Sequence, residues 1–219
     1  MIGRSSSSTT KRRERAAGTR AAILAAAAHI FAEQGLAGAR TEAIAARAGV
    51  NKALLYYYFK DKDALYAAVL DDQFEGFHRQ AMQALESPGS ARAVLLRYAS
   101  LYLDFIAARQ RFAPLFQQMM LAGGKPLERL VRKYLAPRRR ALRRLIERGM
   151  GEGEFRPADP EHAAVAVVAL IVFYFSRGPV LRALGHRHAY SPAHLARHKQ
   201  QVLDFIRYGL FADPEATVA

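Results

Sequence analysis

The chain has 219 residues, with 33 Lys and Arg against 19 Asp and Glu, a formal net charge of +14, and no cysteine. That length admits one large helical body or a small domain beside a larger one. The missing cysteine excludes disulfides, thiolate metal sites and cysteine nucleophiles, and the basic excess points to a polyanionic partner such as nucleic acid. Residues 1–65 carry 11 basic and 5 acidic side chains, so the excess is densest near the N-terminal end.

In chain order, residues 1–18 combine a Ser/Thr run with Lys11, Arg12, Arg13 and Arg15 and hold almost nothing to bury. A disordered basic arm is expected there, either laid along a minor groove or simply solvated. This polar start does not resemble a secretory signal, and a cytoplasmic protein is expected. From Thr19 the pattern turns helical: Ile23, Ala27, Ile30 and Phe31 share one face, and Gly35 ends the run. Thr41 then reads as the N-cap of a short helix through Glu42, Ile44, Ala45 and Ala48, stopped by Gly49. Asn51 reads as the cap of a second short helix from Lys52 to about Tyr57, so the pair spells a helix-turn-helix. Asp61 and Asp63 flank Lys62 at the start of a further helix through Leu65, Val69 and Leu70, which is expected to bridge two domains.

Further helices are expected over Ser90–Ala108, Phe112–Leu121, Pro126–Met150, Pro160–Arg177 and Pro192–Phe211, with Pro137 kinking or splitting the third. No strand pattern emerges, so the fold class is all-α. Ala163–Phe175 is apolar on all sides yet too short to span a bilayer, and no membrane segment is expected. A helix apolar all round needs cover on all sides, which a second subunit supplies. Leu195, His198, Val202, Phe205, Ile206 and Leu210 form an apolar stripe on the last helix, suited to a four-helix interface about a two-fold axis. A homodimer through the last two helices is therefore expected, the alternative being one large helical core without a partner.

Taken together, Ile23-Leu24, Ala26-Ala27, Phe31 and Gly35, then Thr41, Ile44-Ala45 and Ala48-Gly49-Val50, then Tyr56, Tyr58-Phe59, Lys62 and Leu65 stand in the order of a known signature. The sequence resembles the TetR family of transcriptional regulators. The resemblance covers residues 19 to about 65 and implies a dimer of all-helical subunits, each with, after the arm over 1–18, a helix-turn-helix DNA-binding domain over 19–65 and a helical ligand-binding and dimerisation domain over 66–219. It also implies a regulator, most simply a repressor released from a palindromic operator by a small-molecule inducer. Two other readings share this composition: a sequence-indifferent basic architectural DNA-binding protein, and a small-molecule-binding protein whose helix-turn-helix is vestigial.

For the DNA-binding role the candidates are Thr41, Asn51, Lys52, Ala53, Leu54, Tyr56, Tyr57 and Lys62. Lys52, Ala53 and Leu54 are positioned to enter a major groove. Tyr56 and Tyr57 offer hydroxyls to phosphates, and Thr41 and Lys62 suit backbone contacts on either side. Ala53 stands where the family often has Gly, and Leu54 where it often has Ser or Thr, so base reading falls mainly on Lys52, with Leu54 either at a thymine methyl or turned to the core. Phe74, Phe77, His78, Tyr98, Tyr102, Phe105, Phe116, Met120, Phe173 and Tyr174 are the candidates for a pocket that takes an apolar or planar effector, or else ordinary core. His186, His188, His194 and His198 invite a metal, but no Cys or placed carboxylate completes a site, and neither metal nor cofactor is expected. Arg138 to Arg144 reads as a solvated helix face. Nothing in the sequence carries catalytic spacing, so no enzyme is expected.

Overall fold

A computed structural model describes residues 5–109, 112–186 and 188–215. They form eleven α-helices: α1 (Ser5–Gly38), α2 (Thr41–Arg47), α3 (Lys52–Tyr58), α4 (Lys62–Leu85), α5 (Ala91–Ala108), α6 (Phe112–Ala122), α7 (Gly124–Leu130), α8 (Ala136–Gly151), α9 (Pro160–Ser176), α10 (Gly178–Ala183) and α11 (Pro192–Leu210), with a π-helical turn over Val131–Leu135. Among these residues the extended pairing is confined to one antiparallel bridge, Phe155 with Phe211. The chain divides into two units. The first runs to Gln73 and takes in Pro114–Pro126; the second holds Phe74–Ala113 and everything from Leu127. Because α4 contains both Gln73 and Phe74, one continuous helix contributes to both units.

The first unit has a core of Ile23, Leu24, Ala27, Ile30 and Phe31 from α1, Ile44 and Ala45 from α2, Leu55 from α3, and Leu65, Tyr66, Val69 and Leu70 from α4. Phe31 meets Tyr66 edge to face, with ring centroids 4.8 Å apart. α1 over Thr10–Gly38 is the one described helix long and apolar enough to cross a bilayer by length and composition, but its large side chains are spent on this core. Helical geometry breaks at Gly35, which has φ of +67°, as the sequence leads one to expect. Upstream the structure differs: residues 5–18 continue α1 where an arm without regular structure is expected, and residues 1–4 lie outside the described residues. Once Ala21–Ala28 nucleate the helix, propagation through Ala, Arg, Lys and Glu costs little, and Thr19 donates to the Arg15 carbonyl at 3.0 Å.

The second unit wraps α8, α9 and α11 around α5, whose Val94, Leu95, Tyr98, Ala99, Tyr102, Leu103 and Ile106 are all buried. Ser90 caps α5 by accepting from Ala93 N–H, and the Glu154 carboxylate accepts from Ala91 N–H at 3.1 Å and Arg92 N–H at 2.9 Å, so all three bonds close the same helix start. Pro137 acts as expected but in a specific way. Lacking an N–H, it cannot give the hydrogen bond that continues an α-helix, and the chain widens into the π-turn just upstream, where Ala136 N–H reaches back to Val131 O.

Gly149 allows α8 to approach α5. A Cβ there would lie 2.4 Å from Phe155 Cδ2 and 2.9 Å from Ala91 Cβ. Overpacking of this kind costs about 1–3 kcal/mol and outweighs the helix propensity that alanine gains. Gly149→Ala should therefore lower the melting temperature by roughly 2–8 °C in a circular-dichroism melt.

Candidate nucleic-acid interface and effector core

The turn between α2 and α3 sets the direction of α3. Gly49 takes φ of +67° and donates to Ala46 O, while Val50 N–H reaches Ala45 O at 3.0 Å, so the chain reverses within three residues. Asn51 caps α3 as expected, its side chain accepting from Leu54 N–H at 2.7 Å. With α3 held this way, Leu55 and Phe59 are buried, Lys52, Ala53, Tyr56 and Tyr57 face outward, and Tyr57 is 79% exposed. Leu54 is half-buried, between the two positions the sequence left open for it.

Thr41 is not a cap. Arg40 occupies the cap position without a side-chain bond, and Thr41 is the first helical residue, buried, with its hydroxyl 3.4 Å from both Glu42 Oε2 and Tyr56 Oη. Lys52 Nζ donates to Glu42 Oε1 and lies 5.9 Å from the Tyr56 ring centroid. The hydrogen bond from Lys52 holds the Glu42 carboxyl below its usual range, and the same bond raises Lys52. Glu42 thus joins Thr41, Lys52 and Tyr56, a role that sequence reading missed because an acid in a first helical turn already suits the helix dipole. Lys62 opens α4 as expected and has partners of its own. Asp61 caps α4, and the Lys62 ammonium donates to Ala37 O at 3.3 Å and Ala39 O at 3.2 Å, tying α4 to the end of α1.

In the second unit Phe74, Phe77, His78, Tyr98, Tyr102 and Phe105 do come together. The Phe77 ring lies 4.2 Å from Phe105 and 4.5 Å from Tyr102, and Tyr98 lies 6.0 Å from Tyr102. Two residues complete the group that sequence reading missed. Tyr134 of the π-turn meets Phe74 at 5.9 Å and His78 at 5.4 Å. Arg138 is only 4% exposed, with its guanidinium 4.9 Å from the Phe77 centroid and 5.0 Å from that of Tyr102. The solvated-face reading therefore fails at Arg138, though it holds for Arg139 and Arg143, which pair in solvent with Glu161 and Glu147. Tyr134, Arg138, Leu142 and Leu145 recur at helical spacing on a buried face, and that periodicity was the available signal. Burial pushes the Tyr98 phenol up; burial and then the Arg138 charge push His78 down.

Four expected effector residues stand elsewhere. Phe116 and Met120 belong to the first unit, and Met120 is half-exposed. Phe173 is 56% exposed on α9, with Val165 and Leu170, opposite the buried Ala164, Val167 and Ile171. Tyr174 turns inward, donating to Ala189 O at 2.8 Å and stacking on His198 at 3.8 Å. On α11, Val202, Ile206 and Leu210 of the expected interface stripe are core, and the exposed apolar residues are Phe205 and Tyr208. Burial, then His194, lowers His198. His186 and His194 lie 6.5 Å apart, and among the described residues no group of three or more His, Asp or Glu is placed to hold a metal.

This layout has relatives. Residues 23–69 match the family described as bacterial regulatory proteins, tetR family, and residues 92–206 match the tetracyclin repressor-like C-terminal domain. The chain is 32% identical over 163 residues to the HTH-type transcriptional regulator RutR of Escherichia coli K12, covering 74% of this chain and 76% of the other. Among solved structures it resembles the transcriptional regulator FadR of Bacillus subtilis in complex with stearoyl-CoA, with a TM-score of 0.67 at 19% identity over 84% of this chain and 96% of that one. A regulator from Saccharomonospora viridis in complex with choline superposes at a TM-score of 0.68 and 21% identity, over 88% of this chain and 97% of the other. The matches span both the helix-turn-helix and the helical region that follows it in the chain, and on that basis the chain belongs to the TetR family of transcriptional regulators.

Proposed function

We propose that the protein is a homodimeric repressor that binds a palindromic operator through paired α3 helices and leaves it when a small molecule enters the aromatic core of the second unit. The observation that carries this reading is the outward face of α3, where Lys52, Ala53, Tyr56 and Tyr57 are offered to solvent over a buried Leu55 and Phe59. A helix carried this way can lie in a major groove, with Lys52 reaching a guanine edge and the Tyr56 and Tyr57 hydroxyls reaching phosphates. Thr41 and Asn51 hold this face in place from behind, and Ala53 and Leu54 add apolar contact. A protein that reads operators works in the cytoplasm, where the DNA is.

Dimerisation supplies the second half-site. The apolar outer face of α9 with Phe205 and Tyr208 of α11 supports an interface through the last two long helices, and two recognition helices then meet successive grooves ~34 Å apart. The effector acts by binding the DNA-free arrangement more tightly than the DNA-bound one, and α4, which contributes residues to both units, is the covalent route for that difference. FadR and the Saccharomonospora viridis regulator were solved with stearoyl-CoA and choline, so ligands of very different polarity are compatible with this bundle. Competition binding tests the reading: the operator recovered by genomic footprinting should be preferred over random DNA by about a thousandfold or more at physiological salt. Equal affinity for both would sink it in favour of a basic architectural protein.

A further inference from the structure

We infer that the effector is an organic carboxylate and that Arg138 is its anchor. This deepens the ligand-responsive reading and rests on it. Arg138 is buried in the second unit, yet among the described residues no carboxylate lies within ion-pair distance of it, whereas its neighbours Arg139, Arg143 and Arg148 each pair with a glutamate. Its Nη2 makes one long hydrogen bond, 3.5 Å to the Tyr102 hydroxyl, and its Nη1 has no partner. Two further buried polar atoms near it are also without partners, the Tyr98 hydroxyl and His78 Nδ1, and the proton affinities of both groups respond to the Arg138 charge.

A buried guanidinium that lacks a counter-charge costs several kcal/mol, and cation–π contact with Phe77 and Tyr102 offsets only part of this. An arrangement of this cost makes sense where an anion arrives to complete it. The planar fork of Arg138 matches a carboxylate in bidentate fashion, and the Tyr98 and Tyr102 phenols add neutral donors beside it. Phe74, Phe77, Phe105 and Tyr134 then supply flat apolar surface for the body of the same molecule. The π-turn serves this arrangement. Its Tyr134 shares a buried side with Arg138, four residues on, and turns of this kind concentrate at functional sites.

Thermal shift and calorimetry on the DNA-free full-length protein test the inference, independently of any operator. The probes are benzoate and octanoate, with benzamide and octanol as their neutral counterparts and inorganic phosphate as the free-anion arm. At a hundredfold excess over Kd, the better carboxylate should raise the melting temperature by about 5–10 °C, and the neutral counterparts and phosphate should not. Arg138→Met, which removes an uncompensated buried charge, should melt at the same temperature or higher and bind that carboxylate about 10- to 100-fold more weakly. If Arg138→Met does not fold, Tyr98→Phe carries the test, since it deletes only an unpartnered hydroxyl and should keep stability while weakening carboxylate binding. Equal stabilisation by benzamide or octanol, a response to phosphate alone, no response to either carboxylate, or an undiminished response in Arg138→Met or Tyr98→Phe overturns the assignment. If carboxylate binds but operator affinity does not change, the repressor reading fails and the anchor stands.

Discussion

Replacing Leu170 and Phe173 together by glutamate should convert the dimer into a monomer and lower operator affinity by about 10²- to 10⁴-fold. Both side chains stand on the outer face of α9 with Val165, so each subunit is expected to remain folded when they are changed. In a two-fold interface every residue acts twice, and the double substitution sets four carboxylates into an apolar contact. Burying each leucine or phenylalanine contributes roughly 1.5–3 kcal/mol to association, so their loss with added charge repulsion removes most of what holds such an interface. The drop in DNA affinity follows from geometry, because one recognition helix then meets one half-site and the effective concentration of the second is lost. Sedimentation would report the monomer, far-UV circular dichroism the retained helices, and fluorescence anisotropy the operator. A folded monomer that held the operator as tightly as the native protein would remove the dimer from the mechanism.

The second large effect belongs to Lys52→Ala. Lys52 is the one charged side chain on the exposed face of α3, and a good base contact is worth about 1–3 kcal/mol per copy. Two copies per dimer give roughly 2–6 kcal/mol, so operator affinity should fall by about 30-fold to 10⁴-fold while affinity for random DNA falls far less. The substitution also strips Glu42 of its partner and leaves a carboxylate facing phosphates. Lys52→Ala combined with Glu42→Gln should therefore recover part of the general affinity and none of the discrimination. If the double variant regained operator preference, Lys52 would be a charge-neutralising residue and not a base reader. Competition anisotropy with operator and scrambled duplexes separates the two.

What could be read in advance follows the range of the forces involved. Gly49, Asn51 and the helix after Lys62 were legible because turns, caps and helix starts depend on residues a few positions apart. Thr41 was misplaced by one position, since a threonine at a helix start suits either the cap or the first turn, and burial against Tyr56 decides which. Phe173 was taken for an effector residue because a helix apolar on every side gives no sign of which side faces its own subunit. The reverse error befell Val202, Ile206 and Leu210, which are core and not interface. Arg138 was the most instructive miss. Embedded in a run of arginines it looked solvated, although it shares the helical spacing of the buried Tyr134, Leu142 and Leu145, and the aromatic residues of α4 and α5 that lie against it are far away in sequence.

The pairing of Lys52 with Glu42 bears on how the protein finds its target. If Lys52 meets DNA as proposed, a phosphate that approaches the ammonium on random duplex also meets the like charge of the Glu42 carboxylate beside it, which weakens that contact. Encounters with the wrong sequence are thereby shortened, whereas a guanine edge, which brings no like charge, holds the helix in place. Against the ~10⁶–10⁹ competing sites of a genome, the rate of letting go limits the time taken to locate one operator. Glu42, on this account, sets the tempo of the search.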